Sequence, residues 1–332
     1  MSETITETKP VTMIQALNMA LADAMAEDDR VLVLGEDVGD KQEGGIVGVT
    51  KGLSSQFGTG RVKATPISEQ AILGAAIGAS LAGYKPVAEI MLMNFTTVAM
   101  DMIVNHAAKL RFMSGGQTHV PIVIRTMTGA GFGTGGQHGD YFEAWFAHVA
   151  GIKVVAPSNP ADGYGLMRAA IEDPDPVLFI ENMPSYWTPG PAPERGSRVE
   201  IGKARIARAG SDVTLVTYSR ATNDCLAAAE ALAADGIQAE VIDLRTIAPW
   251  DRAAVFASVE KTGRAVIVHE AVREHGVGAE IAAELSDAFF GKLKAPVKRI
   301  GAAFCPVPFS KPLETAFVPQ AAGIEATVRG IL

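Results

Sequence analysis

Short apolar runs rich in β-branched residues recur along this chain, each followed by a longer stretch with helical character, and that rhythm limits the fold. Val31-Leu32-Val33-Leu34, Lys85 to Ile90, Pro121 to Arg125, Gly151 to Ala156 and Pro176 to Ile180 read as buried strands. Such runs, alternating with helices, predict an α/β protein with a mostly parallel sheet covered on both faces. Helices are predicted over 11–28, from Ser68 through Ala79, and from about Phe95 to Phe112, the last capped by Ser114-Gly115-Gly116. Met183 to Arg198, with four prolines and two glycines, reads as a linker. The rhythm then resumes with strands at 213–217, 239–244 and 264–268 and helices at 225–234 and 278–289, a smaller second α/β unit. The expected division is 1–183, a linker at 184–200, and 201–332.

Length agrees, since 332 residues exceed what one core usually serves. The net charge of −8, with acidic residues scattered, argues against nucleic acid or an anionic membrane as partner. The longest apolar run, Ala71 to Gly83, is too short to span a bilayer. The start Met1-Ser2-Glu3-Thr4 lacks the basic-then-apolar pattern of a signal peptide, and a cytoplasmic protein is expected. Cys225 and Cys305 stand far apart, which supports neither a disulfide framework nor a zinc site.

Several chemical motifs fail their context. Gly131 to Gly136 satisfies GxGxxG after a strand, but the next strand ends in Pro157-Ser158-Asn159 without the acidic residue that holds a ribose. There is no P-loop and no GxSxG elbow. His269-Glu270 opens like a zinc-protease helix, yet Arg273 stands where the second His belongs and His275 falls two residues late. His106, His119 and His148 have no chemical setting.

Two places keep chemical promise. In Thr65-Pro66-Ile67-Ser68-Glu69, Ser68 is a good N-cap and Glu69 falls in the first turn of an otherwise small and aliphatic helix, expected to be buried on most sides. The plain alternative is a Glu that complements the helix dipole. The second place is His138, at the end of a loop with glycines at 129, 131, 133, 135, 136 and 139, where the backbone can approach a ligand closely. The plain alternative is a satisfied loop histidine.

Taken in order, Gly35-Glu36-Asp37-Val38-Gly39, Thr65 to Glu69, Pro86 to Ile90, Ser114 to Gln117, Gln137-His138, Gly151 to Pro157 and Asp173 to Val177 resemble a known family. So do Ile201 to Ala204, Val241 to Ile247 and Gly276 to Glu280. The chain is similar to the β subunit of the thiamine-diphosphate-dependent decarboxylating component of 2-oxo acid dehydrogenase complexes, of the pyruvate or acetoin type. The resemblance implies a pyrimidine-binding α/β domain and a transketolase C-terminal-like α/β domain for dimerisation and partner docking, to which Ile324 to Leu332 is expected to contribute. It implies an α subunit, in a heterotetramer of two α and two β chains, that holds the diphosphate and Mg²⁺. Consistently, the Gly-Asp-Gly and Asn-Asn of the thiamine metal motif occur nowhere in this chain.

By the same resemblance, Glu69 hydrogen-bonds the pyrimidine ring nitrogen and promotes the imino tautomer that deprotonates the thiazolium. Phe95 packs on the ring and Ile67 shapes its pocket, although both would look the same as core residues. Glu36 lies near cofactor and subunit interface, or merely ends a strand. His138 faces the substrate and helps acyl transfer to the lipoyl group of the acyltransferase partner. Backbone carbonyls around Ile122, Ala170, Ile171, Asp173 and Asp175 match a structural potassium site of some relatives. Where relatives commonly read His-Ser-Gln, this chain has His138-Gly139-Asp140, and the added charge is expected to weaken binding of an anionic 2-oxo acid more than of acetoin. Gln137 favours the pyruvate and acetoin branches over the branched-chain one. A branched-chain 2-oxo acid dehydrogenase β subunit, a non-catalytic scaffold and a standalone transketolase-like enzyme are the rivals.

Overall fold

The computed structural model describes residues 9–332; the Met1–Thr4 start lies outside them. Seven strands form the larger sheet, in the order Thr246–Ala248, Lys153–Val155, Val177–Asn182, Val123–Thr128, Lys85–Leu92, Val31–Glu36, Val62–Thr65. Six of them run parallel; only Thr246–Ala248 is antiparallel, with Thr246 opposite Val155. The smaller sheet has five strands, Lys298–Ala302, Ala265–Val272, Val213–Thr217, Ala239–Asp243 and Arg205–Arg208, the last antiparallel at the edge. The expected mostly parallel α/β fold is what the sequence adopts. Strands at the edges went unread because Val62-Lys63-Ala64-Thr65 and Arg205 to Arg208 carry too few apolar residues to stand out.

Local chemistry explains where the helices begin. Thr12 caps Met13–Glu27 in a capping box with Gln15, and the helix lays seven buried side chains, Met13 to Met25, against the neighbouring Pro160–Glu172 helix. Each large one among them stabilises by roughly 1.5–3 kcal/mol. Asn159 caps the second helix by accepting from the Asp162 N–H, with Pro160 in its first turn.

The long helix expected over 95–112 is instead broken. A 3-10 turn at Met93–Thr97 leads to a π-helical turn at Met102–Ala107 and a short helix at Leu110–Met113. Thr96 and Thr97 turn their hydroxyls back onto the Met93 and Asn94 carbonyls, at 2.6 and 2.8 Å, competing with a regular helix. The predicted stop holds: Gly115 and Gly116 take positive φ, and the Gly116 N–H reaches the Arg111 carbonyl at 2.8 Å.

The Pro- and Gly-rich segment lies along the first unit. Pro189–Gly190 pairs with Val11–Thr12, Arg195 bonds Asp23, and Arg198 bonds Glu172 at 2.5 Å. One apolar cluster runs from Ile90 of the larger sheet and Phe146 of the Glu143–Ala147 helix to Ile242, Trp250 and Val255 of the later half. Ile324, Val328 and Ile331 of the C-terminal segment are buried against the Ala221–Ala234 helix and the smaller sheet, while Leu332 is exposed. No described helix is long and apolar enough to cross a membrane.

Gly151 gives a direct check on this packing. Its φ is +102°, and a Cβ there would lie 1.9 Å from the Ala108 carbonyl oxygen. Gly151→Ala is expected to destabilise by about 3 kcal/mol, combining overpacking with backbone strain. A loss under about 1 kcal/mol in denaturant unfolding would show that the turn at 108 yields easily.

Candidate active site

Four of the sequence candidates follow the carboxyl ends of adjacent parallel strands, the edge where α/β sheets bind ligands. Glu36 is the last residue of its strand, Glu69 lies four residues beyond Thr65, Phe95 three beyond Leu92, and His138 ten beyond Thr128. The register aligns Glu36 with Thr65, so the two acidic side chains descend from neighbouring strands.

Glu36 and Glu69 are both 8% exposed. Burial first, and then the charges of Glu69 and Asp37, push the Glu36 carboxyl above its ordinary range, while a hydrogen bond from the Ser68 backbone pulls it down. A pair of carboxylates under cover favours sharing a proton with an incoming basic group. Ser68 stands at the cap position, but its hydroxyl makes no capping bond; its carbonyl starts the helix by accepting from Ile72 at 2.9 Å. The helix buries Ile72, Leu73, Ala76 and Ile77, whereas Ala71, Ala75 and Gly78 face outward. The expected burial on most sides therefore covers one face of it within this chain. Ile67, two residues before the buried Glu69, is 83% exposed.

Phe95 and His138 meet edge to face, their ring centroids 5.6 Å apart. Asn94 holds the two segments together: its amide donates to the Asp140 carboxylate at 2.8 Å, and the Asp140 N–H returns to Asn94 Oδ1 at 3.3 Å. These bonds orient the Asp140 carboxylate toward Asn94 and tie the histidine loop to the segment that carries Phe95. Sequence missed this pair because its members lie 46 positions apart with no motif between them.

The potassium candidates gather at the opposite edge. Ile122 precedes one strand, and Ala170, Ile171, Asp173 and Asp175 precede another, all at amino ends. Lys153 Nζ bonds both Asp173 oxygens, at 2.7 and 2.6 Å, and Arg111 bonds Asp175 at 2.6 Å. The Ile122 carbonyl accepts from Val177 and that of Ala170 from Asp173. Positive charge already balances these carboxylates, so K⁺ does not fit them as they stand. Among the described residues there is no cluster of three or more His, Cys, Asp or Glu able to hold a metal.

A cavity of about 780 Å³ lies between the two halves, lined in part by Asp140, Tyr141, Trp145, Glu270 and Phe304. It touches the histidine loop but not the carboxylate pair, so volume alone does not mark the chemistry. His269, rejected as a zinc ligand, is buried in the Ala265–Val272 strand and pushed down to about 4 by desolvation, hence neutral.

Comparison with known proteins follows the same lines. The family described as "Transketolase, pyrimidine binding domain" matches residues 9–187, and "Transketolase, C-terminal domain" matches 202–324. The chain is 47% identical to pyruvate dehydrogenase E1 component subunit beta-1, mitochondrial, of Arabidopsis thaliana, covering 97% of this chain and 88% of that protein. It is 44% identical to the beta subunit of acetoin:2,6-dichlorophenolindophenol oxidoreductase of Cupriavidus necator, covering 95% of each. Among solved structures, a split-gene transketolase chain, described as an inactive beta4 tetramer, superposes with a TM-score of 0.78 at 23% identity. That match covers 97% of this chain and 98% of the other, and supports the fold alone.

Proposed function

The chain belongs to the family with transketolase pyrimidine-binding and C-terminal domains that includes the pyruvate dehydrogenase and acetoin oxidoreductase β subunits, and on that premise we propose that it is the β subunit of a thiamine-diphosphate-dependent 2-oxo acid dehydrogenase of pyruvate or acetoin type. One observation carries the reading. Glu69 is buried while Ile67, two residues away, is 83% exposed, which supports a carboxylate site whose outer wall comes from another chain.

That chain is an α subunit holding the diphosphate and Mg²⁺, in a heterotetramer of two α and two β chains. The lack of Gly-Asp-Gly and Asn-Asn here supports this assignment. The division into 1–183, 184–200 and 201–332 gives the first unit the pyrimidine and the last unit dimer contacts and docking of a lipoyl acyltransferase. Free Cys225 and Cys305 suit a reducing, cytoplasmic setting.

Thiamine diphosphate fits the Glu36–Glu69 pair, because an aminopyrimidine brings the ring nitrogen that a buried carboxyl can share a proton with. When bound, the cofactor supplies the electron sink for loss of CO₂. Glu69 holds the proton at the pyrimidine nitrogen. Glu36, kept protonated more readily by burial and by Glu69, limits negative charge in the site. Phe95 offers a ring face to the pyrimidine and an edge contact to His138, which donates or accepts a proton during acyl transfer to lipoyl. Potassium would have to rest on carbonyl oxygens alone, since Asp173 and Asp175 are already paired.

Purified chain combined with an α-type partner is expected to turn over pyruvate or acetoin and to use 3-methyl-2-oxobutanoate at least about tenfold less efficiently. The chain alone should show no turnover. Activity without a partner would overturn the proposal, and a preference for the branched substrate would move it to the branched-chain enzyme.

A further inference from the structure

We infer that Glu314 and Glu270, from the later half of the chain, are positioning residues that set the reach of His138; the inference rests on the reading of His138 given above. Residues 129–140 include six glycines. Gly129, Gly131, Gly133 and Gly135 take φ values of +120°, +126°, +68° and +71°. A segment of that composition has little preference for one course and loses much entropy when ordered. Its order is imposed from elsewhere.

Three of its N–H groups go to two buried carboxylates more than a hundred positions away. Glu270, 5% exposed, accepts from the Ala130 N–H at 2.8 Å and, through its other oxygen, from Asn182 at 2.9 Å. Glu314, 2% exposed in the short Lys311–Phe317 helix, accepts from both the Gly131 and Gly133 N–H groups, at 2.8 and 2.9 Å, through the same Oε1. Lys311 Nζ closes the grip by donating to the Gly131 carbonyl at 3.1 Å. Charge-assisted bonds of this kind are about twice as strong as neutral ones.

The chain just before Glu314 also lies on the loop. A Cβ at Gly135 would fall 2.3 Å from the Phe309 ring, at Gly136 3.1 Å from Pro306 and at Gly139 3.3 Å from Val307. Phe309 lays its ring on Gly135 although 73% of it remains exposed. His138 leaves this covered stretch to meet Phe95. A carboxylate that merely satisfied stray donors would not need to converge with a second carboxylate and an aromatic lid on one short loop. The consequence is a histidine whose distance to the substrate is set by residues from the other end of the chain.

The test uses the assembled α and β enzyme with a free lipoyl domain as acceptor. Glu314→Ala is expected to lower kcat for lipoyl acylation by about tenfold or more, with KM for the 2-oxo acid changed less than about twofold. The loss should exceed that seen with dichlorophenolindophenol as acceptor. Amide exchange at Gly131 and Gly133 should accelerate. Glu314→Gln keeps Oε1 as acceptor for both N–H groups and is expected to restore rate and protection to within about threefold of the parent. His138→Ala is measured alongside. No loss in His138→Ala would retire the reading of that histidine. A loss there, with parental transfer and exchange in Glu314→Ala or equal losses with both acceptors, would overturn the inference instead. Should Glu314→Ala fail to assemble, Phe309→Ala at its exposed position provides the same readouts, and parental transfer and exchange in that variant would equally overturn it.

Discussion

Glu69→Gln in the assembled enzyme is expected to reduce kcat by about 10²–10⁴-fold while leaving folding and assembly intact. Glutamine keeps the shape and the acceptor oxygen but cannot hold the transferable proton. The helix behind it draws its stability from Ile72, Leu73, Ala76 and Ile77 and not from residue 69, so the melting temperature should barely move. A second consequence separates this account from a purely structural one. Replacing the Glu69 carboxyl removes one of the influences that raise Glu36, so Glu36 should give up its proton at lower pH and the alkaline limb of any residual activity should shift to lower pH. Turnover with pyruvate, thermal melting and a pH profile check these points together. Activity within about tenfold of the parent would show that residue 69 carries no essential proton.

Arg125→Met should produce the largest loss of stability. Arg125 is 3% exposed and lies across three strands, bonding both oxygens of Glu181 at 2.7 and 2.8 Å and Glu89 at 2.6 Å. Tyr186 donates to Glu181 at 2.5 Å. Methionine fills much of the volume but leaves two carboxylates without a cation in the interior of the sheet, and burial already pushes Glu89 upward. Breaking such a network typically costs about 3–5 kcal/mol. The expected drop in melting temperature is roughly 10 °C. Adding Glu181→Leu should recover part of it, because a hydrophobic replacement for the whole pair avoids the orphaned charge. A single-variant loss below about 1 kcal/mol would mean that water reaches this cluster.

The parallel sheet was legible because its central strands are continuous apolar runs, as strands buried on both faces must be. Glu69, Phe95 and His138 were legible through motifs in chain order, and the structure places all three, with Glu36, beyond the same edge. What escaped has a common physical cause. Asn94 with Asp140, Arg125 with Glu181, and Glu314 with Gly131 are each made by residues distant in sequence, and no local period marks them. The broken segment from Met93 to Met113 escaped because its apolar spacing suits a helix while Thr96 and Thr97 bond their own backbone.

The antiparallel strand Thr246–Ala248 closes the side of the larger sheet next to Lys153–Val155. A gene cut near residue 200 would strip that side and leave a row of raw amide and carbonyl groups looking for a mate. The fragment would stick to its own copies before it met any partner, because bare β-edges template aggregation. The later half thus serves as the edge guard of the earlier one, and the two are expected to stay soluble best when joined.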